Sequence, residues 1–191
     1  MSEHYPIRIG FKRLSSHAVI PTKAHETDSG FDLVASEDVI IEPGETKIIP
    51  TGIAVQLPNG FEAQVRPRSG VTAKTDLRVQ LGTIDNGYTG DIGVIVDNIS
   101  FPLEISGYNY LAKLIDGTRV RIDTISDGVP CDKGTYLVRA GDRIAQLVIQ
   151  ALPNVEAIEV NSLDKSDRGV EGFGSTGVET NVKTSAEEEE E

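Results

Sequence analysis

This chain of 191 residues predicts an all-β fold, a sandwich or barrel of many short strands, on three observations. Turn signals recur at short intervals: Glu42-Pro43-Gly44, Pro58-Asn59-Gly60, Asn86-Gly87, Asp127-Gly128, Lys133-Gly134 and Ala140-Gly141-Asp142. Glycine admits left-handed backbone, and proline and the short acids and amides preset reversals, so each group ends an element. The runs between them, such as Ile53-Ala54-Val55-Gln56-Leu57, are apolar and short. Thr118-Arg119-Val120-Arg121-Ile122-Asp123 alternates apolar and charged residues at period two, as a half-buried strand does. Short strands punctuated this often form sandwiches or barrels.

In chain order, Thr46-Lys47-Ile48-Ile49 and residues 53–57 read as strands, and Val71 to Asp76, after Ser69-Gly70, reads as a short helix. Beta-branched residues then lead into Asn86-Gly87, and Ile92, Val94 and Val96 lead out, which predicts a hairpin. The 118–123 strand follows. From about Asn161 polar and small residues dominate, and no internal repeat is visible. This length supports one good core, so the expected organisation is a β domain over residues 1–160, a glycine-rich arm over 161–178 and an acidic, disordered tail over 179–191.

The net charge is −12 and no basic run is present, which argues against direct nucleic-acid binding because phosphate neutralisation needs basic patches. Glu187 to Glu191 read as a solvated end. No apolar run approaches the ~20 residues of a membrane span. The start, Met1-Ser2-Glu3-His4-Tyr5-Pro6, lacks a basic and apolar leader, so a cytoplasmic protein without a membrane partner is expected. Cys131, the single cysteine, fits a reducing compartment but only weakly.

Chemistry concentrates in four places. Asp85 and Tyr88, three residues apart between Gly82 and Asp91, would present a carboxylate base and an aromatic platform together. Arg66-Pro67-Arg68-Ser69-Gly70 offers two guanidinium forks, a hydroxyl and flexible backbone, suited to a polyanion or to a solvated turn. Gly141-Asp142-Arg143-Ile144-Ala145-Gln146 reads as a further phosphate candidate or as a turn entering a core strand. In Arg168-Gly169-Val170-Glu171-Gly172-Phe173-Gly174-Ser175-Thr176-Gly177 the glycines satisfy G-x-G-x-x-G. The chain ends fourteen residues later, too soon for a dinucleotide fold, and no Lys-Ser/Thr follows for a Walker loop. A mobile arm closing over a phosphate ligand fits better, with Phe173 available to stack on a base.

Together with Ala24 through Asp28-Ser29-Gly30-Phe31-Asp32-Leu33, these segments resemble the five motifs of the trimeric dUTPases, the deoxyuridine triphosphate nucleotidohydrolases, in family order. The resemblance implies a β jelly roll with a mobile C-terminal arm and a homotrimer whose active sites are each built from three chains. It also implies hydrolysis of dUTP to dUMP and pyrophosphate. By the same resemblance Asp85 activates the attacking water, and Tyr88 stacks beneath the deoxyribose and excludes a 2′-hydroxyl. Backbone groups of Gly82, Thr83, Ile84 and Gly93 read uracil. Arg68, Ser69 and Gln146 bind phosphates, Arg168, Ser175 and Thr176 grip the γ-phosphate, Phe173 caps the base, and Gly70 and Gly174 are further substrate-binding residues. Mg²⁺ is implied by the family and by charge balance, held through phosphate oxygens and waters, with Asp32 reaching it through water or holding an arginine. Asp32 also reads as a turn-capping carboxylate.

From Asp85 to Gln146 the chain is longer than in compact members, which places an insert at about residues 100–138. It is a passive surface subdomain or a binding surface, with Tyr108 and Tyr110 as amphipathic anchors. The insert resembles those of staphylococcal bacteriophage dUTPases, which implies a second, regulatory role through binding a pathogenicity-island repressor. The related dCTP deaminases, which use a glutamate base, and a noncatalytic binding protein are the alternatives.

Overall fold

The computed structural model describes residues 7–101, 111–122 and 133–170. Among them the chain forms β1 (Gly10–Arg13), β2 (Phe31–Val34), β3 (Val39–Ile41), β4 (Thr46–Pro50), β5 (Ile53–Gln56), β6 (Phe61–Pro67), α1 (Ser69–Lys74), β7 (Leu77–Val79), β8 (Gly82–Ile84), β9 (Gly93–Asn98), β10 (Leu111–Lys113), β11 (Arg119–Arg121), β12 (Tyr136–Val138) and β13 (Arg143–Ala151). The all-β class with one short helix is as the sequence predicts. The strands pair as four open sheets, β1-β5, β11-β10-β12-β3, β2-β13-β6-β8 and β4-β9-β7. A shared core of Leu33, Ile49, Ile53, Val65, Val94 and Leu147 fills the space between them. Among the described residues no helix is long and apolar enough to cross a membrane.

The predicted strands at 46–49, 53–57 and 118–123 correspond to β4, β5 and β11. The helix starts two residues earlier than the sequence pattern suggested. Arg68 is extended at φ −93° and ψ 130°, and its carbonyl accepts from both Val71 and Thr72 amides, so the first turn begins at Ser69. It ends at Thr75, which is extended and whose hydroxyl donates back to Val71 O at 2.7 Å. Gly44, Gly60, Gly134 and Gly141 take positive φ at the turns where the sequence placed them.

The insert is stitched to the body. Its strand β12 pairs antiparallel with β3, Tyr136 opposite Ile41 and Val138 opposite Val39. β10 and β11 form a hairpin, and a small second core of Ala112, Leu114, Ile122 and Leu137 lies beneath it. In the hairpin turn Asp116 accepts from the Thr118 hydroxyl and amide, which lowers its pKa below the usual carboxylate value. Contacts divide the chain into Met1–Asn154 and Val155–Glu191. Beyond β13, the second unit contains no strand among its described residues and leaves Val155, Ile158 and Leu163 exposed.

Asn98, the buried last residue of β9, joins three segments. Its amide donates to Ile41 O at 2.9 Å and Gly134 O at 3.0 Å, while its Oδ1 accepts from Ser100 N at 3.0 Å. Asn98→Ala is expected to destabilise the fold by about 1–3 kcal/mol, because buried partners lose their hydrogen bonds. Denaturant unfolding measures this; an unchanged midpoint would show that the three segments are held by packing alone.

Candidate active site

Three neighbouring strands bring the first group of predicted residues together. Asp32 on β2 lies directly opposite Gln146 on β13, and Arg66 on β6 lies opposite Gln146 from the other side. Arg68 and Ser69 follow immediately where β6 gives way to α1. Gln146 Nε2 donates to Pro67 O at 3.1 Å, which fixes the amide beside that junction. Gly30 leaves room for it: a Cβ there would sit 2.8 Å from Gln146 Oε1.

Asp32 is held between two guanidinium groups. Its Oδ1 lies 3.2 Å from Arg68 Nε and its Oδ2 3.3 Å from Arg143 Nη1, with the carboxylate only 17% exposed. Arg68 Nη1 also donates to the Arg143 carbonyl at 2.8 Å. Ser69 and Gly70 are exposed, and the space in front of Gly70 is open. Two cations, one carboxylate, an amide and a hydroxyl thus form a locally electropositive face on a chain of net charge −12, suited to phosphate oxygens. Nearby in the same motif, the His25 amide donates to Asp28 Oδ2 at 2.8 Å and lowers the Asp28 pKa.

The segment carrying Asp85 and Tyr88 differs from the predicted hairpin. β8 pairs with β6, whereas β9 pairs with β4 and β7, so the segment crosses from one sheet to another. Gly87 is not among the glycines with positive φ, and the turn is closed instead by Tyr88 N donating to Asp85 O at 3.0 Å. The Asn86 side chain explains the departure: its amide donates to Leu57 O at 2.8 Å and Pro58 O at 2.7 Å, tying the turn to the end of β5. At the other end Asp91 Oδ1 accepts from Ile53 N at 3.1 Å, and buried Thr51 donates to Ile92 O at 2.8 Å. Asp85, immediately before the first of these anchors, is exposed. Tyr88 donates to Asp91 O at 2.8 Å and its ring lies against Gly90.

Gly82, Thr83 and Ile84 occupy β8, an edge strand whose outer backbone groups have no sheet partner among the described strands, while Gly93 opens β9 opposite Pro50. Among the described residues no hydrogen bond or ion pair joins Asp85 or Tyr88 to Asp32, Arg68, Ser69 or Gln146. Arg168 is exposed in the Val155–Glu191 unit, beside a turn in which Gly169 N donates to Ser166 O at 3.1 Å. Phe173, Gly174, Ser175, Thr176, Tyr108 and Tyr110 lie outside the described residues. Sequence reasoning missed Arg143 as a partner of Asp32, and Asn86, Asp91 and Thr51 as anchors. Asn86, Asp91 and Arg143 stand inside motifs already singled out, while nothing in the sequence marks Thr51.

No group of three or more His, Cys, Asp or Glu side chains that could hold a metal occurs among the described residues. One carboxylate between two arginines forms no all-protein metal cage, so a hard cation here would have to be carried by phosphate oxygens and water. Two concavities of about 530 and 680 Å³ lie outside the arginine face, the second bordering the Asp85 segment. Asp76, Phe101 and Lys113 line the first, and Phe11, Gln56, Asn86 and Thr89 line the second. Neither includes Arg68 or Asp85, and the geometry of the polar groups, not cavity size, identifies the site.

An all-β chain with a carboxylate-bearing, glycine-flanked loop and an arginine face suited to phosphate oxygens has the parts that phosphate-ester hydrolysis needs. The dUTPase family model matches residues 16–125 and 132–177, and the chain belongs to that family. Its activity is that of a dUTP diphosphatase. It is 37% identical to the deoxyuridine 5'-triphosphate nucleotidohydrolase of Gloeothece citriformis over 174 residues, covering 90% of this chain and 98% of that protein. The dUTPase of Staphylococcus bacteriophage 80alpha, solved with dUpNHpp, superposes with a TM-score of 0.81 at 34% identity, covering 90% of this chain and 99% of that one. It is described among phage dUTPases that control transfer of virulence genes by a G protein-like mechanism. The phage phi11 dUTPase of S. aureus, described as coordinating a structural Mg(II) ion, matches with a TM-score of 0.76 at 32% identity, covering 83% of this chain and 99% of that one. The phi11 enzyme also carries a species-specific insert.

Gly90 offers a direct test of the platform. A Cβ there would approach the Tyr88 hydroxyl to 2.5 Å and its Cζ to 2.7 Å, so Gly90→Ala must displace the ring. The expected outcome is weaker binding of a deoxyuridine triphosphate analogue with little change in thermal midpoint, since the ring is exposed. Wild-type affinity in a titration would separate Tyr88 from nucleotide recognition.

Proposed function

We propose that this chain hydrolyses dUTP to dUMP and pyrophosphate at sites shared between three copies, with Asp85 as the general base. The carrying observation is the division of the constellation. Each half is anchored firmly within the chain, yet no described hydrogen bond or ion pair connects them, as expected if a second copy completes each site. The exposed, facing pair Ile48 and Ile95 on β4 and β9 supports an assembly in which neighbours cover apolar surface.

In this reading the Asp85 carboxylate accepts a proton from water, and the water oxygen attacks the α-phosphorus. The bond to the bridging oxygen breaks, and pyrophosphate leaves. Arg68, Ser69, Gly70 and Gln146 orient the phosphates; Arg168, Ser175 and Thr176 close on the γ-phosphate, and Phe173 with Gly174 covers the base. Tyr88 fills the space beneath the sugar, where a 2′-hydroxyl would collide. Backbone groups of Gly82, Thr83, Ile84 and Gly93 match the acceptor-donor-acceptor edge of uracil. A cytosine amino group would face a donor there, and an unpaired buried polar group costs about 1–3 kcal/mol. Bound magnesium would neutralise charge on the phosphate oxygens, with Asp32 in reach through water. The reaction limits uracil incorporation into DNA and supplies dUMP, and a cytoplasmic location is consistent with this role. A dCTP deaminase is disfavoured by the family match and by an aspartate rather than glutamate at the base position.

Asp85→Asn is expected to keep nucleotide binding and lose turnover by ~10²–10⁴-fold, the usual contribution of a general base. A chain truncated before Arg168 should also be inactive. Mixing and reassembling the two inactive chains should restore activity, because some sites then combine an intact Asp85 with an intact arm. Near-normal turnover by Asp85→Asn removes the carboxylate from the mechanism, and no recovery on mixing removes the shared site.

A regulatory role is a second reading, favoured by an insert with its own small core and by the virulence-gene control attributed to the phage 80alpha enzyme. Its partner would be a repressor protein, with Tyr108 and Tyr110 as contacts. Replacing residues 102–110 by a short polar linker should abolish binding to a pathogenicity-island repressor while dUTP turnover persists. Unchanged repressor affinity would exclude this segment from recognition.

A further inference from the structure

We infer that Arg143 is a positioning residue that acts through Asp32 to hold Arg68 in place for the triphosphate, an inference that rests on the phosphate site proposed above. The first observation is a bulge. β13 pairs regularly with β2 from Leu147↔Phe31 through Gln146↔Asp32 to Ala145↔Leu33, and then shifts so that Arg143, not Ile144, lies opposite Val34. Side chains alternate along a strand, so unbroken register would put Ile144 on the face of Asp32 and Gln146 and turn Arg143 away. The extra residue re-aims the arginine onto the carboxylate's face while Ile144 stays buried in the core.

The second observation is how contacts are divided. Asp32 gives one oxygen to each guanidinium, Oδ1 to Arg68 and Oδ2 to Arg143. Arg68 uses Nε for the carboxylate and Nη1 for the Arg143 carbonyl, so two of its five donors are fixed from the Asp32 side. Without Arg143 the carboxylate would face Arg68 alone, and the pair would be neutral. With Arg143 the cluster keeps one net positive charge, and Asp32 stays anchored if Arg68 shifts toward a phosphate. A solvated ion pair contributes little to stability, and Arg143 is 56% exposed, so the effect belongs to ligand orientation rather than to folding.

The test compares wild type, Arg143→Ala, Arg143→Lys, Asp32→Asn and the Arg143→Ala/Asp32→Asn double variant. Affinity is measured for dUpNHpp and for deoxyuridine, which has no phosphates, and thermal midpoints are recorded alongside. Arg143→Ala should weaken dUpNHpp binding about tenfold, equivalent to ~1.4 kcal/mol, leaving deoxyuridine binding and the midpoint nearly unchanged. Arg143→Lys should recover most of that loss, and Arg143→Ala should add nothing in the Asp32→Asn background, as residues acting in series do. Equal dUpNHpp affinity for wild type and Arg143→Ala overturns the inference. So does a full additional loss in the double variant, the mark of direct phosphate contact, or a parallel fall in both ligands and the midpoint, the mark of a structural role. If wild type itself fails to bind dUpNHpp, the phosphate-site reading falls first.

Discussion

Strand β13 is the constraint on which the site depends. It pairs with β2 on one side and β6 on the other, and Ala145 and Leu147 pin it to the core while Gln146 between them faces the polar side. Three motifs spread over more than a hundred residues of sequence are thereby locked at one level of one sheet. Their relative positions are set by backbone registry, which side-chain motion cannot relax. If this face takes the phosphates as proposed, it is organised before ligand arrives, so little binding energy is spent ordering it.

The Asp85 segment is built on the opposite principle. It has no regular pairing of its own and is suspended between two sheets by side chains, Asn86 on the carbonyls that follow β5 and Asp91 on the amide that begins it. Such anchoring leaves Asp85 and Tyr88 exposed while fixing the backbone beneath them. In the proposed mechanism, precision at Asp85 comes from hydrogen bonds a few residues away.

The all-β class, the short helix and the turns at Gly44, Gly60 and Gly141 were legible because local chemistry determines them. Asp32, Arg68 and Gln146 were found as separate motifs, but their convergence was not readable, since it arises from pairings across long loops. The hairpin expectation failed for a definite reason. Asn-Gly favours a tight reversal locally, yet here Asn86 gives its side chain to residues almost thirty positions earlier and the flanking strands pair elsewhere. Arg143 stayed hidden because period-two reasoning from Gln146 turns it away, and only the bulge reverses that.

Charge brings these parts together. A protein with thirty acidic side chains against eighteen basic ones repels a triphosphate at long range, so capture depends on a short-range field where guanidinium groups outnumber carboxylates. Asp32 would seem to undercut that field. It does the reverse if it fixes the direction of Arg68 while Arg143 compensates its charge, since a rigid bidentate fork discriminates phosphate geometry better than a mobile cation does. An electropositive face of this size must also exclude competing anions. In the function proposed above, an arm closing only over a complete triphosphate would supply that selectivity.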